Sequence, residues 1–176
     1  MSHTPSAALR AAIRDIPDFP KPGIIFKDIT PVLSDPALFA ESIDLFHRAL
    51  QGVRVDKIAC IDARGFLFGA ALAYKMGVGI IPVRKKGKLP YDATEVSYDL
   101  EYGSATLEMH VDAVAPGDQV VIVDDLLATG GTAGAACHLV EKLGGRVERL
   151  LFLVELSFLG GRDRLPGRGI YSPLIF

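Results

Sequence analysis

The chain has 176 residues, 49% of them hydrophobic, enough to bury one sizeable core and too few for two. Nineteen basic side chains against twenty-one acidic ones leave a formal charge of -2, which supplies no bulk field for a nucleic-acid or membrane partner, so any polyanion site must be local. Cys60 and Cys137 lack the paired spacing of a zinc site or disulfide framework, the first residues lack a basic stretch leading into an apolar run, and no segment approaches the ~18 apolar residues of a membrane span; the expectation is a reduced, cytoplasmic protein.

Thr4-Pro5 supplies a cap and first-turn pair for a short helix carrying Ala8, Leu9, Ala12, Ile13 and Ile16 on one side, which Pro17 and Pro20 end. The next stretch, 18–33, is rich in proline and glycine yet keeps Phe19, Ile24, Ile25, Phe26 and Ile29, so it reads as an ordered loop folded onto something. Asp35-Pro36 repeats the cap signal, and Phe39, Ile43, Phe46 and Leu50 follow at helical spacing. Residues 57–62 form a short buried strand running into Ala63-Arg64-Gly65. A helix over 66–76 follows, closed by Gly77 and Gly79, and then a second strand over 79–84. The helices around Phe39 and Phe68 offer either core or a surface for a second copy of the chain.

From 85 to 103 the periodicity dissolves into charged, glycine and proline residues with isolated tyrosines, a length at which loops without structure are functional or mobile; the segment reads as a lid. Residues 105–111 alternate as a half-exposed strand, 115–118 turn, 119–125 form a β-branched buried strand, 130–143 a helix and 147–156 another buried strand. Strands alternating with helices imply a single α/β domain over 1–176, with a mostly parallel twisted sheet flanked by helices and ligands at the carboxyl ends of its strands.

The densest signal is Val120-Val121-Ile122-Val123-Asp124-Asp125-Leu126-Leu127-Ala128-Thr129-Gly130-Gly131-Thr132. A buried strand delivers two carboxylates, and a tight loop with two glycines and two threonine hydroxyls opens a helix, so backbone N–H groups converge beside a pair of acids. Such a site suits a phosphate that also carries a diol or a metal ion. No lysine follows the glycines, which excludes a standard P-loop. A β-branched side chain at Gly131 is expected to crowd those amides.

These thirteen residues resemble the phosphoribosyl pyrophosphate signature of type I phosphoribosyltransferases. Asp18-Phe19-Pro20, Pro22-Gly23-Ile24-Ile25-Phe26-Lys27-Asp28-Ile29, Arg64-Gly65-Phe66-Leu67-Phe68-Gly69, Arg84-Lys85 with Gly87-Lys88-Leu89-Pro90, and Glu101-Tyr102-Gly103 resemble the adenine-specific members, in order and over nearly the whole chain. The resemblance implies a small hood made by 17–33 with part of the C-terminus, a mobile lid over 85–103, and a homodimer. It implies that Ala128, Thr129, Gly130, Gly131 and Thr132 hold the ribose 5-phosphate and that Asp124 and Asp125 hold the ribose hydroxyls. Magnesium would be carried by the substrate, bridged through water to the two aspartates and without a direct protein ligand. Ala128 stands where members using hypoxanthine and guanine usually carry an aspartate, which favours adenine.

The same resemblance implies that Arg64, Arg84, Lys85, Lys88 and Tyr102 bind pyrophosphate, with a non-proline cis peptide near Asp62-Ala63-Arg64. The charge run 84–88 is also open to the reading of a solvated edge, Lys86 most of all. For adenine, Phe26 stacks, the main chain at Ile25 and Lys27 reads the base edge, and Leu126 adds apolar wall; pattern alone favours Phe26 as a core residue, and only the resemblance reverses that order. Glu101 is the candidate base for the N9 proton, against the reading of a solvent-exposed carboxylate. His3, His47, His110 and His138 show no metal-ligand spacing. Two other readings stay open: a phosphoribosyltransferase for xanthine, hypoxanthine or orotate, and a non-catalytic sensor of phosphoribosyl pyrophosphate, which would need a basic surface that the chain lacks.

Overall fold

A computed structural model describes residues 4–99 and 104–176. Helix α1 (Ala7–Ala11) starts at Ser6, whose hydroxyl accepts the Leu9 N–H at 3.0 Å, two residues later than the Thr4-Pro5 signal suggests. The helix stops before Ile16, which lies instead in β1 (Arg14–Pro17); β1 pairs antiparallel with β2 (Ile25–Asp28), and α2 (Thr30–Ser34) follows, so the stretch read as a loop holds a strand and a short helix. No residue of these strands is fully buried, so no two-residue alternation marks them in the sequence.

Helix α3 (Pro36–Ala49) begins where expected, with the Asp35 carboxylate accepting from the N–H groups of Ala37 at 2.8 Å and Leu38 at 3.1 Å. Next come β3 (Lys57–Ile61), α4 (Arg64–Met76), β4 (Gly79–Lys85), β5 (Ala93–Asp99), β6 (Ser104–His110), β7 (Gln119–Leu127), α5 (Gly131–Lys142) and β8 (Arg146–Glu155). Two-residue strands β9 (Ile170–Tyr171) and β10 (Leu174–Ile175) close the chain. The eight-stranded sheet runs β10-β8-β7-β3-β4-β6-β5, with β9 also on β8. All neighbours from β10 to β4 are parallel, whereas β6 is antiparallel to both β4 and β5.

Strand β5 corrects the lid boundaries, since 93–99 of the expected 85–103 loop pair residue by residue with β6, from Ala93 opposite His110 to Asp99 opposite Ser104. It is an edge strand with no fully buried residue through Tyr98; Thr94, Val96 and Tyr98 turn inward between exposed Ala93, Glu95 and Ser97, a two-residue alternation with Val96 as its single aliphatic member. The order β4-β6-β5 also forces the 86–92 connection to cross over β6.

Cores lie on both faces of the sheet. Val121, Val123, Leu151 and Leu153 face α3 and α4 with Phe46, Phe68 and Leu72, while Ile122, Leu150 and Phe152 face α5 with Cys137 and Leu139. Central parallel strands are covered on both sides, hence the unbroken apolar run 120–123. Phe68 is fully buried against Phe46 and Phe39, with ring centroids 6.1 and 5.7 Å apart, so the Phe39 and Phe68 region is core rather than free surface. The exposed apolar groups of this region are Leu67 and Tyr74 on α4 and Ile80 on β4. Burial pushes the Cys60 thiol up to about 12 and the Cys137 thiol up to about 11, so neither forms a thiolate readily. Among the described residues, no helix is long and apolar enough to cross a membrane.

Candidate active site

The carboxyl end of β7 delivers Asp124 and Asp125, as the strand-then-acid pattern predicts. The Asp125 N–H donates to Asp124 Oδ1 at 2.8 Å, and Arg64, the first residue of α4, donates from Nε to Asp125 Oδ2. Helix α4 reaches this strand end because position 65 has no side chain: a Cβ there would lie 2.7 Å from the Val123 carbonyl and 3.0 Å from Asp124 Oδ1. Burial, and then the neighbouring Asp125 charge, push the Asp124 carboxyl well above the usual carboxylate range, with Arg64 opposing. Such a pair favours ligands that bring cations or hydroxyl donors. The peptide Asp62-Ala63 beside it is cis, at the place the resemblance implies.

Residues 128–130 link β7 to α5 and, with Gly131 and Thr132 of its first turn, line a hollow of about 80 Å3 together with Asp124, Leu126 and Leu127. Gly130 caps α5 in the left-handed region at φ 83, and a Cβ there would stand 2.5 Å from the Gly161 carbonyl. Gly131 itself opens the helix, so the conformational demand expected at Gly131 falls on Gly130. The turn at 160–161 buttresses the loop, since a Cβ on Gly161 would in turn collide with the Ala128 carbonyl. The Thr132 hydroxyl donates to the Tyr98 hydroxyl at 3.1 Å.

A second hollow, of about 410 Å3, shares Asp124 and Thr132 with the first and is lined by Asp62, Ala63, Arg64, Lys85, Tyr98 and Asp125. Of the four cations expected to hold pyrophosphate, Arg64 and Lys85 line it. Arg84 donates from Nε to Asp62 Oδ2 and from Nη1 to the Lys88 carbonyl, both at 2.9 Å, and so ties the cis turn to the basic loop. Lys88 is not among the lining residues. Lys86 pairs with Glu95 at 2.7 Å on open surface, the solvated-edge reading, and such pairs are worth at most ~1 kcal/mol. Glu101 and Tyr102 lie outside the described residues.

The third hollow, of about 540 Å3, lies between β2 and the C-terminal segment and shares Thr129 with the first. Ile25 and Lys27 line it with Leu156, Phe158, Leu159 and Phe176. The alternation of β2 leaves Phe26 out of this lining; its ring meets Phe19 edge-on at 5.2 Å and has the Arg64 guanidinium 5.6 Å from its centroid. Leu126 lines the phosphate hollow instead. The base set is therefore divided, two of its members in the apolar hollow and two beside the other chambers. Sequence reasoning missed Leu156, Phe158, Leu159 and Phe176. The signal was the apolar content of 157–176, past the last strand that periodicity could find. Phe176 is fixed by cations, with Arg10 4.6 Å and Lys27 4.2 Å from its ring centroid.

A parallel sheet with an acid pair and a glycine-threonine loop at one strand end is the architecture of a phosphoribosyl transferase domain, and the family model of that description matches residues 30–155. The adenine phosphoribosyltransferase of Acidothermus cellulolyticus is 57% identical over 164 residues, 93% of each chain. The crystal structure of adenine phosphoribosyltransferase from Thermoanaerobacter pseudethanolicus superposes with a TM-score of 0.94 at 57% identity, covering 96% of this chain and 98% of that one. That from Saccharomyces cerevisiae, complexed with an imino-altritol bisphosphate and adenine, gives 0.90 at 42% identity over 95% and 97% of the two chains. The chain belongs to the adenine phosphoribosyltransferase family.

Proposed function

We propose that the chain transfers the 5-phosphoribosyl group of phosphoribosyl pyrophosphate to N9 of adenine, giving AMP and pyrophosphate in purine salvage. The observation that carries this reading is the connection of the three hollows: Thr129 joins the apolar one to the phosphate loop, and Asp124 and Thr132 join the phosphate loop to the cation-lined one. A nucleotide and a pyrophosphate fit that order, with the 5-phosphate on the amides of 128–132, the ribose hydroxyls on Asp124 and Asp125, and adenine between β2 and Leu156. The yeast relative's complex with adenine and a bisphosphate supports the same occupancy.

The step breaks the bond from the ribose anomeric carbon to the pyrophosphate oxygen, and the electron pair leaves on pyrophosphate. Arg64, Lys85 and the loop carrying Lys88 stabilise that developing charge. The N9 electron pair closes on the same carbon, and the N9 proton passes to the Glu101 carboxylate. Tyr102 acts from the same loop on the pyrophosphate side. Among the described residues, no group of three or more His, Cys, Asp or Glu side chains could hold a metal ion, while the two β7 carboxylates fit a magnesium ion ligated mainly by substrate oxygens. Magnesium so bound supplies charge neutralisation for the leaving group.

Incubating the protein with phosphoribosyl pyrophosphate, magnesium and each nucleobase in turn tests the reading. Adenine is expected to be the fastest acceptor, as Ala128 in place of an acid favours. Faster turnover of hypoxanthine or guanine would overturn the base assignment, and tight substrate binding without nucleotide from any base would favour the sensor. The same reading makes the chain a cytoplasmic homodimer that uses the exposed Leu67, Tyr74 and Ile80 face. Sedimentation of the wild type should give twice the chain mass and that of Tyr74→Asp a monomer; a monomeric wild type would sink this part.

A further inference from the structure

We propose that Glu108 is a positioning residue for the pyrophosphate side of the site, holding the main chain of Gly87, Lys88 and Leu89 and so fixing the loop that follows Lys85, the lysine that lines the second hollow. The proposal rests on the function proposed above. Glu108 lies on β6 opposite Arg84 of β4 and is only 6% exposed. Its Oε2 accepts the Gly87 N–H at 3.1 Å, and its Oε1 accepts those of Lys88 at 2.9 Å and Leu89 at 2.7 Å. Three successive amides thus converge on one carboxylate, the arrangement by which backbone nests hold anions, here filled by the protein's own side chain.

Burial would push this carboxyl up, but the three N–H donors more than offset it and hold it below the usual range, so it stays ionised at neutral pH. Arg84, its partner across the strand pair, fixes the carbonyl of Lys88 while Glu108 fixes the Leu89 N–H of the same peptide. One peptide of the loop is therefore clamped from both sides. The fold needs such a clamp because 86–92 crosses over β6 and pairs with neither strand it connects. An acid that satisfies backbone amides does not neutralise the neighbouring Lys85, which lines the hollow. The sequence hint is Leu107-Glu108-Met109, a carboxylate between two buried apolar residues.

The test compares wild type and Glu108→Gln, which keeps the shape but replaces one acceptor oxygen by a donor facing the amides. Pyrophosphate affinity, measured by calorimetry with magnesium, and the KM for phosphoribosyl pyrophosphate should weaken about tenfold to a hundredfold, the size of one lost hydrogen bond to a charged group. The KM for adenine should stay within about twofold, and trypsin should cut faster after Lys86 or Lys88. Should Glu108→Gln fail to fold, Leu89→Pro removes one of the three donors and leaves the carboxylate. A wild type that binds no pyrophosphate would overturn the proposed function before any variant is made. Wild-type binding matched by the variants would overturn the Glu108 role alone. So would an equal loss for every ligand that tracks a lowered Tm, because a merely structural residue predicts that.

Discussion

Gly130→Val should abolish the phosphate grip, weakening AMP and ribose 5-phosphate binding by at least about two powers of ten, the equivalent of ~2.7 kcal/mol. Two independent penalties produce the effect. The backbone at φ 83 is one that a β-branched residue adopts only with strain, of order 1–3 kcal/mol. The new Cβ would also start 2.5 Å from the Gly161 carbonyl, a backbone atom of a buried turn that cannot swing aside as a flexible side chain would. The loop must move, and with it the amides at the start of α5. Gly131→Ala is the control, since it sits on helical backbone and should cost much less. Calorimetric titration with AMP decides the matter, with circular dichroism to show that the sheet has formed. Unchanged affinity in Gly130→Val would mean that phosphate binds elsewhere.

Glu101→Gln should slow the chemical step by one to four powers of ten, about 1.4–5.5 kcal/mol of barrier, because it keeps the shape of the side chain and removes the base. The motive is the Glu101-Tyr102-Gly103 block, which follows directly on the edge strand whose Tyr98 touches the phosphate loop through Thr132. Tyr98 itself lines the second hollow together with Asp124 and Asp125. Adenine and phosphoribosyl pyrophosphate affinities should change little, since proton transfer acts in the transition state. The measurement is a single turnover with enzyme in excess, which separates chemistry from product release. An unchanged single-turnover rate would remove Glu101 from the chemistry.

The parts of this fold legible in the sequence are those where burial and chemistry coincide with local spacing. Strands β3, β7 and β8 announce themselves because both faces are covered and the apolar run is continuous. Helix α3 does so through Asp35-Pro36, and the phosphate loop through its acids and glycines. What escaped did so for identifiable reasons. Strands β1 and β2 pair with each other and have no fully buried side chain, so they carry no period to detect, while the alternation of β5 at Thr94, Val96 and Tyr98 has a single aliphatic member and is lost among the charged residues and glycines around it. Leu156, Phe158, Leu159 and Phe176 reach the base hollow by tertiary return of the chain end, which no local window contains. Glu108 reads in the sequence as the solvent face of a half-exposed strand, whereas it is buried with Leu107 and Met109 and its partners are the amides of Gly87, Lys88 and Leu89, which no local window contains. Of the residues that the resemblance assigns to the base, Ile25 and Lys27 line the apolar hollow, Phe26 faces Arg64 and Leu126 lines the first hollow.

The buttress behind the phosphate loop bears on how this scaffold could acquire a new base. Leu156, Phe158 and Leu159 wall the apolar hollow, and two residues further on Gly161 supports Ala128 and Gly130. A library that varies the C-terminal wall to admit a larger or differently edged base would transmit any backbone shift to the phosphate grip, so gains in recognition would be entangled with losses in affinity for the common ribosyl donor. The strands of the β1–β2 hairpin pair only with each other, so its links to the rest of the site are side-chain contacts, Phe26 with Arg64 and Lys27 with Phe176, rather than backbone against backbone. Altered specificity should therefore be more accessible by substitution around Ile24, Ile25 and Lys27 than by substitution on the opposite wall.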